Sequence, residues 1–330
     1  MTRSIKASLV SLVTILVFLT LLAGCSTKQS EMHETDAKEE RVRVGFSQTE
    51  SDNPWTTNLV DGFIQAAEAL DMELIYHTPE ENTSRWQLQD INNLFSEDLD
   101  YLVVFPREAS ILDEVCLKAE EYGVPLILIG SQEDYGSSNN TYACVISTDY
   151  VQEGRLCAQI LAKQFDGQVC RIVEIKGSED SRIAQDRSRG FHEELQKYSN
   201  LRIVATGIGN SDRLTAQYAL ENIIVNYKED LFNAVFACSD EDGLGALQAL
   251  KVAGYNPDKD VSIVSCNGIQ DVLKAIIANE YTATVRSDSR LGYIACDIIK
   301  QLEHGFTKIK HVVVPYRIYQ DSKDALYFLY

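Results

Sequence analysis

From Arg41 onward the chain repeats one pattern, in which a short and almost unbroken run of apolar, often β-branched residues is followed by a longer amphipathic stretch. The runs fall at residues 42–46, 73–76, 101–105, 126–129, 143–146, 171–175, 203–206, 234–237, 262–265, 282–285 and 312–314. A strand with one wet face alternates polar and apolar residues. A strand covered on both faces does not, and strands of that kind belong to parallel sheets. Between the runs, Val60, Phe63, Ile64 and Ala67 share one helical face, and Leu291, Ile294, Ala295, Ile298, Ile299 and Leu302 keep helical spacing through a second stretch. Strand–helix alternation on this scale predicts an α/β fold of doubly wound parallel sheets, and the length calls for two lobes rather than one small core. Ligands in such sheets sit beyond the carboxyl ends of the strands, so function is to be sought in the loops that follow them.

The residues ahead of this pattern have a different character. Arg3 and Lys6 precede a stretch from Ala7 to Ala23 that is apolar except for Ser8, Ser11, Thr14 and Thr20. It ends in Leu22-Ala23-Gly24-Cys25, which resembles the lipobox of bacterial lipoproteins. That resemblance implies a signal peptide over 1–24 and lipid on Cys25; an uncleaved membrane anchor is the alternative. Residues 25–40 are polar and nearly free of large apolar side chains, as a flexible tether would be. Both readings put the folded part on the extracytoplasmic face of a bacterial cell membrane, and in the lipobox reading the lipid anchor alone holds it there. The formal net charge of −19 repels nucleic acid and anionic headgroups, which argues against both as direct partners.

Beyond Cys25 the cysteines are Cys116, Cys144, Cys157, Cys170, Cys238, Cys266 and Cys296. None has Cys-x-x-Cys spacing, most lie in apolar runs, and an odd number cannot all pair within one chain. They read as buried free thiols.

Enzyme templates fail. His33, His77, His192, His304 and His311 form no metal-ligand spacing, and neither a nucleophile elbow nor a phosphate loop is present. Gly207-Ile208-Gly209 follows a strand, but Asp212 stands where a dinucleotide fingerprint needs glycine. No cofactor and no metal are expected.

The post-strand loops are more informative. The first continues from Phe46-Ser47-Gln48 into a polar segment closed by Pro54-Trp55. An aromatic ring there can lie on the C–H face of a sugar, or can simply pack under the first helix. After the sixth run come Lys176-Gly177-Ser178 and then Asp186-Arg187-Ser188-Arg189-Gly190-Phe191. The Arg187 fork can bind vicinal hydroxyls or a carboxylate, or interact structurally with Asp186. Ser239-Asp240 follows the eighth run, with a helix cap as its structural role, and Asn267-Gly268 follows the ninth.

Taken together, Val44-Gly45-Phe46-Ser47-Gln48 with Trp55, the Asp186-Arg187…Gly190-Phe191 segment and Ser239-Asp240…Gly245-Ala246 resemble the type I periplasmic sugar-binding family, nearest its galactofuranose branch. The resemblance covers the chain from Arg41 to the C-terminus. It implies two lobes joined by three crossovers near 147–148, 287 and 312–313. The first lobe is then 41–147 plus 288–311, and the second 148–287 plus 312–330. It also implies a ligand site drawn from Gln48, Trp55, Arg107, Ser131, Arg187, Ser239, Asp240, Asn267 and Arg286.

Three positions depart from the family pattern. Gly130-Ser131 replaces an Asp-Arg clamp, Ser239 replaces an asparagine, and Asn267 replaces an aspartate. These losses point to an unusual or acidic sugar held by Arg107, Arg187 or Arg286, or to a ligand that is not a sugar. The function implied is that of a monomeric lipoprotein delivering a small sugar or sugar-like ligand to the membrane permease of an ATP-driven (ABC) importer. The alternative is a co-receptor for a membrane sensor histidine kinase.

Overall fold

The computed structural model describes residues 41–48, 54–77, 83–131, 142–179, 181–226, 232–257, 259–286, 290–306 and 310–329. The leader, Cys25 and the tether lie outside these residues. The first part of the chain runs β1 (Arg43–Gln48), α1 (Pro54–Ala69), β2 (Glu73–Tyr76), α2 (Ser84–Leu94), β3 (Tyr101–Phe105), α3 (Leu112–Tyr122), β4 (Leu126–Ser131) and β5 (Cys144–Thr148). Next come α4 (Tyr150–Phe165), β6 (Cys170–Lys176), α5 (Arg182–Leu195), β7 (Leu201–Ile208), α6 (Arg213–Asn226), β8 (Ala234–Ala237), α7 (Asp240–Val252), β9 (Ser262–Cys266), α8 (Gln270–Ile277) and β10 (Ala283–Arg286). The last elements are α9 (Leu291–Glu303), β11 (His311–Val313), β12 (Arg317–Tyr319) and α10 (Ser322–Leu329).

These elements build two six-stranded sheets. The order is β11-β5-β4-β3-β1-β2 in the first and β12-β10-β9-β8-β6-β7 in the second. Each sheet carries apolar clusters on both faces. In the first, Val44, Phe46, Val103 and Ile127 pack with α1 and α9, while Leu102, Val104 and Leu128 pack with α2 and α3. In the second, Val173, Ile175 and Val235 pack with α6, α7 and α8, and Ile172, Phe236 and Val264 with α4 and α5. Coverage on both sides explains why the runs do not alternate. The seven cysteines from Cys116 to Cys296 are free and buried among these apolar residues.

Three details differ from the expected pattern. Ile64 is 39% exposed, because Leu59, Phe63, Ala66 and Ala67 form the buried face of α1 and Phe63 sits against Gly292 of α9. Pairing is parallel throughout except at β12, which runs antiparallel to β10 on the sheet edge. Its burial increases along the strand, from exposed Arg317 to buried Tyr319. The third crossing, placed near 312–313, falls inside β11. That strand pairs in parallel with β5 from His311 to Val313, and the chain passes to the second sheet after it.

Candidate functional site

In each sheet one inner strand marks where the connections reverse direction. From β6 the chain goes outward to β7 and then back across to β8 on the other side, so the crevice of the second sheet lies at the carboxyl ends of β6 and β8. By the same rule the crevice of the first sheet lies at the ends of β1 and β3.

Arg187 is at the centre of the second crevice. It sits on α5, the helix that follows β6, and is 3% exposed. Its Nη1 donates to the Cys238 carbonyl oxygen at 3.0 Å, just beyond β8, and to Asn267 Oδ1 at 3.3 Å, just beyond β9. Its Nε donates to Glu153 Oε2 at 2.8 Å, and the Tyr150 ring lies 5.5 Å from the guanidinium carbon. Burial alone would weaken the charge on Arg187. The Glu153 carboxylate more than offsets that, holding the guanidinium above its usual pKa.

The chain brings Glu153 and Arg187 together through two glycines. A Cβ on Gly154 would stand 1.9 Å from the Arg187 carbonyl oxygen, and one on Gly190 would stand 1.9 Å from the Val151 carbonyl oxygen. Helices α4 and α5 therefore touch backbone to backbone, an approach that a side chain at either position would prevent. Glu153 is thus an ion-pair partner of Arg187 from the preceding helix. Asp186 pairs with Arg182 at 3.2 Å and with Arg189 at 2.9 Å.

Asp240 lies beside this group with no exposed surface. Its Oδ1 accepts from the Ser265 hydroxyl and from Thr284 Oγ1 at 2.7 Å, and its Oδ2 accepts from the Ile269 amide at 2.8 Å. The Tyr281 hydroxyl donates to Ser265 Oγ at 2.6 Å. Asp240 thus ties the start of α7 to β9, β10 and the start of α8. Ser239 caps α7: its hydroxyl donates to Asp242 Oδ2 at 2.7 Å and accepts from the Asp242 amide at 3.2 Å. Burial pushes the Asp240 carboxyl up to about 6 and that of Asp242 up to about 7.

Asn267 adopts φ 125°, a conformation that costs a non-glycine residue on the order of 1–3 kcal/mol and tends to persist at functional positions. Its amide donates to the Val285 carbonyl oxygen at 2.9 Å. The Arg286 side chain runs along Gly268, and its Nη1 donates to the Tyr319 hydroxyl at 3.2 Å. The second sheet therefore gathers Arg187, Ser239, Asp240, Asn267 and Arg286.

In the first sheet Gln48 and Phe105 are in register at the ends of β1 and β3, and Arg107 follows at once. Gln48 is 3% exposed, and among the described residues its Oε1 has no hydrogen-bond partner. The loop carrying Arg107 is pinned by Gln87 of α2, whose Nε2 donates to the Phe105 carbonyl oxygen at 2.9 Å and whose Oε1 accepts from the Arg107 amide at 2.9 Å. Ser131 ends β4 opposite Thr148, and Trp55 lies in the first turn of α1. Their side chains lie outside the described residues.

Glu153 and Gln87 were not anticipated. Glu153 carried a readable signal, because it is in phase with the inward stripe Tyr150, Gly154, Cys157, Ala158 and Leu161. An acid on a buried stripe needs a buried cation.

The periplasmic binding protein domain profile matches residues 44–305. The chain belongs to that family. Its fold is the type I periplasmic binding protein fold, two lobes of mostly parallel sheet with flanking helices. Among its relatives, the galactofuranose-binding protein YtfQ of Escherichia coli (strain K12) is 26% identical over 262 residues, or 79% of this chain and 81% of that protein. A Mycobacterium smegmatis protein solved with β-D-fucofuranose is 26% identical with a TM-score of 0.80, covering 87% of this chain and 94% of that one. The binding protein of the arabinose ABC transporter of Shewanella sp. ANA-3, bound to α- and β-L-arabinofuranose, is 25% identical with a TM-score of 0.79 at the same two coverages. Proteins of this family work outside the cytoplasm, and among the described residues no helix is long and apolar enough to cross a membrane.

Proposed function

We propose that this protein is a non-enzymatic, lipid-anchored, monomeric solute-binding protein that closes its two lobes on a small neutral sugar and delivers it to an ABC importer. The carrying observation is the polar convergence at both crevices, above all Gln48. An amide oxygen that is buried without a donor costs on the order of 1–3 kcal/mol, and a sugar hydroxyl beside it would recover that cost. The relatives named for galactofuranose, fucofuranose and arabinofuranose favour a five-membered ring. A ligand reaching Gln48 and Arg107 from one lobe and Arg187 and Asn267 from the other makes its full set of contacts only when the lobes are closed, and so favours that state. The permease then recognises the closed shape.

Thermal-shift and calorimetric titration of the mature protein against neutral aldoses in both ring sizes tests the binding. At a hundredfold excess over Kd, one of them should add about 2.7 kcal/mol of stability. Silence across the panel at millimolar concentrations would refute the sugar reading. The anchor has a separate test. Labelled fatty acid should enter the wild-type chain and be lost from Cys25→Ala, and label retained in that variant would remove the lipoprotein assignment.

A further inference from the structure

We infer that Glu153 determines the charge selectivity of the site, holding the Arg187 guanidinium neutralised so that the protein takes neutral sugars and rejects sugar acids. The inference rests on the sugar reading above and concerns a residue that makes no ligand contact of its own. Arg187 is the most deeply buried arginine among the candidate ligand residues, and an arginine at a sugar site ordinarily offers two readings. Its planar fork can bind a carboxylate bidentately or can bridge hydroxyls.

The geometry separates these readings. Nε, one corner of the fork, is held by Glu153 Oε2 at 2.8 Å, and Glu153 itself has no exposed surface. Nη1 is directed onto Cys238 O and Asn267 Oδ1. Other groups that the structure sets beside the guanidinium are neutral or acidic. Tyr150 faces it from α4, the Cys238 and Cys266 thiols lie beside it, and the carboxyls of Asp240 and Asp242 are within electrostatic reach from α7.

One buried cation therefore stands against the buried Glu153 carboxylate, with two further carboxyls in reach. A sugar acid reaching Arg187 would meet a guanidinium whose charge Glu153 already balances, and removing an ionised carboxylate from water is costly without a free partner. A neutral sugar meets no such barrier, and its hydroxyls can still bond to an arginine that is already oriented. Glu153 is thus a positioning residue with an electrostatic consequence. It fixes the fork and cancels its charge.

Exchange of Glu153 for glutamine keeps the shape and releases the charge. The test measures Kd by calorimetry for three pairs, D-galactose with D-galacturonate, L-arabinose with L-arabinonate and D-ribose with D-ribonate, on the full mature chain. Wild type should bind a neutral member at least about tenfold more tightly than its acid. Glu153→Gln should narrow or reverse that ratio by about tenfold or more, and added salt should weaken its acid binding. Glu153→Asp, which keeps the charge, should retain the neutral preference. If wild type binds an acid as well as its neutral partner, or if Glu153→Gln folds and leaves the ratio unchanged, the inference is overturned while the sugar reading stands. Failure of wild type to bind any of the six overturns the inference together with the sugar reading on which it rests. Should Glu153→Gln not fold, the wild-type ratio and Glu153→Asp decide.

Discussion

Replacing Asp240 with alanine should lower the unfolding free energy of the unliganded protein by about 2–4 kcal/mol at neutral pH, because it strands the Ser265 and Thr284 hydroxyls and the Ile269 amide in a dry interior. Urea denaturation reads this directly. The effect also carries a pH signature. Burial raises the Asp240 carboxyl to about 6 and the Asp242 carboxyl to about 7, above the values both have in an unfolded chain. Between the unfolded and folded values the native state binds more protons than the unfolded state, so stability rises as pH falls through that interval. Wild type should therefore gain stability from pH 7.5 toward pH 5, and Asp240→Ala should gain less. Equal pH slopes in the two proteins would show that Asp240 does not titrate as its burial requires. A loss below about 0.5 kcal/mol would show that the three donors find other acceptors.

The same residue shows where sequence reading ends. Ser239-Asp240 after an apolar run reads equally well as a helix cap and as a ligand contact, because both need an oxygen at a strand end. What separates them is the set of donors that folding brings to the carboxylate. Those donors come from Ser265, Ile269 and Thr284, none of which is a sequence neighbour of Asp240. The sheets were readable because continuous apolar runs and helical spacing are local consequences of burial on both faces. Strand β12 was not, since three residues carry too little pattern to stand out from a loop. Helix α1 was found with its face slightly rotated. The final orientation was set by Phe63 against Gly292, a contact made across most of the chain. In the site, Arg187 stood out by type and position, whereas its partner Glu153 lay one helix earlier. An acid on an inward stripe was the only local clue to that partner.

Arg187→Ala tests both roles of that pair. Removing the guanidinium leaves Glu153 as an uncompensated charge with no exposed surface, and breaking a buried pair in this way costs about 3–5 kcal/mol. The variant should melt well below wild type. By itself that loss would not distinguish a scaffold residue from a ligand contact. The double variant Arg187→Ala/Glu153→Gln separates them, because it removes the stranded charge and should recover about half of the lost stability. Binding should not recover with it. If Arg187 meets the sugar in the closed cleft, the double variant should bind the neutral sugar recognised by wild type more weakly by roughly 2–4 kcal/mol, seen chiefly as faster dissociation. A folded double variant with wild-type affinity would leave Arg187 as a brace between α4, β8 and β9, and the ligand contact would have to be sought at Gln48, Asn267 and Arg107 instead.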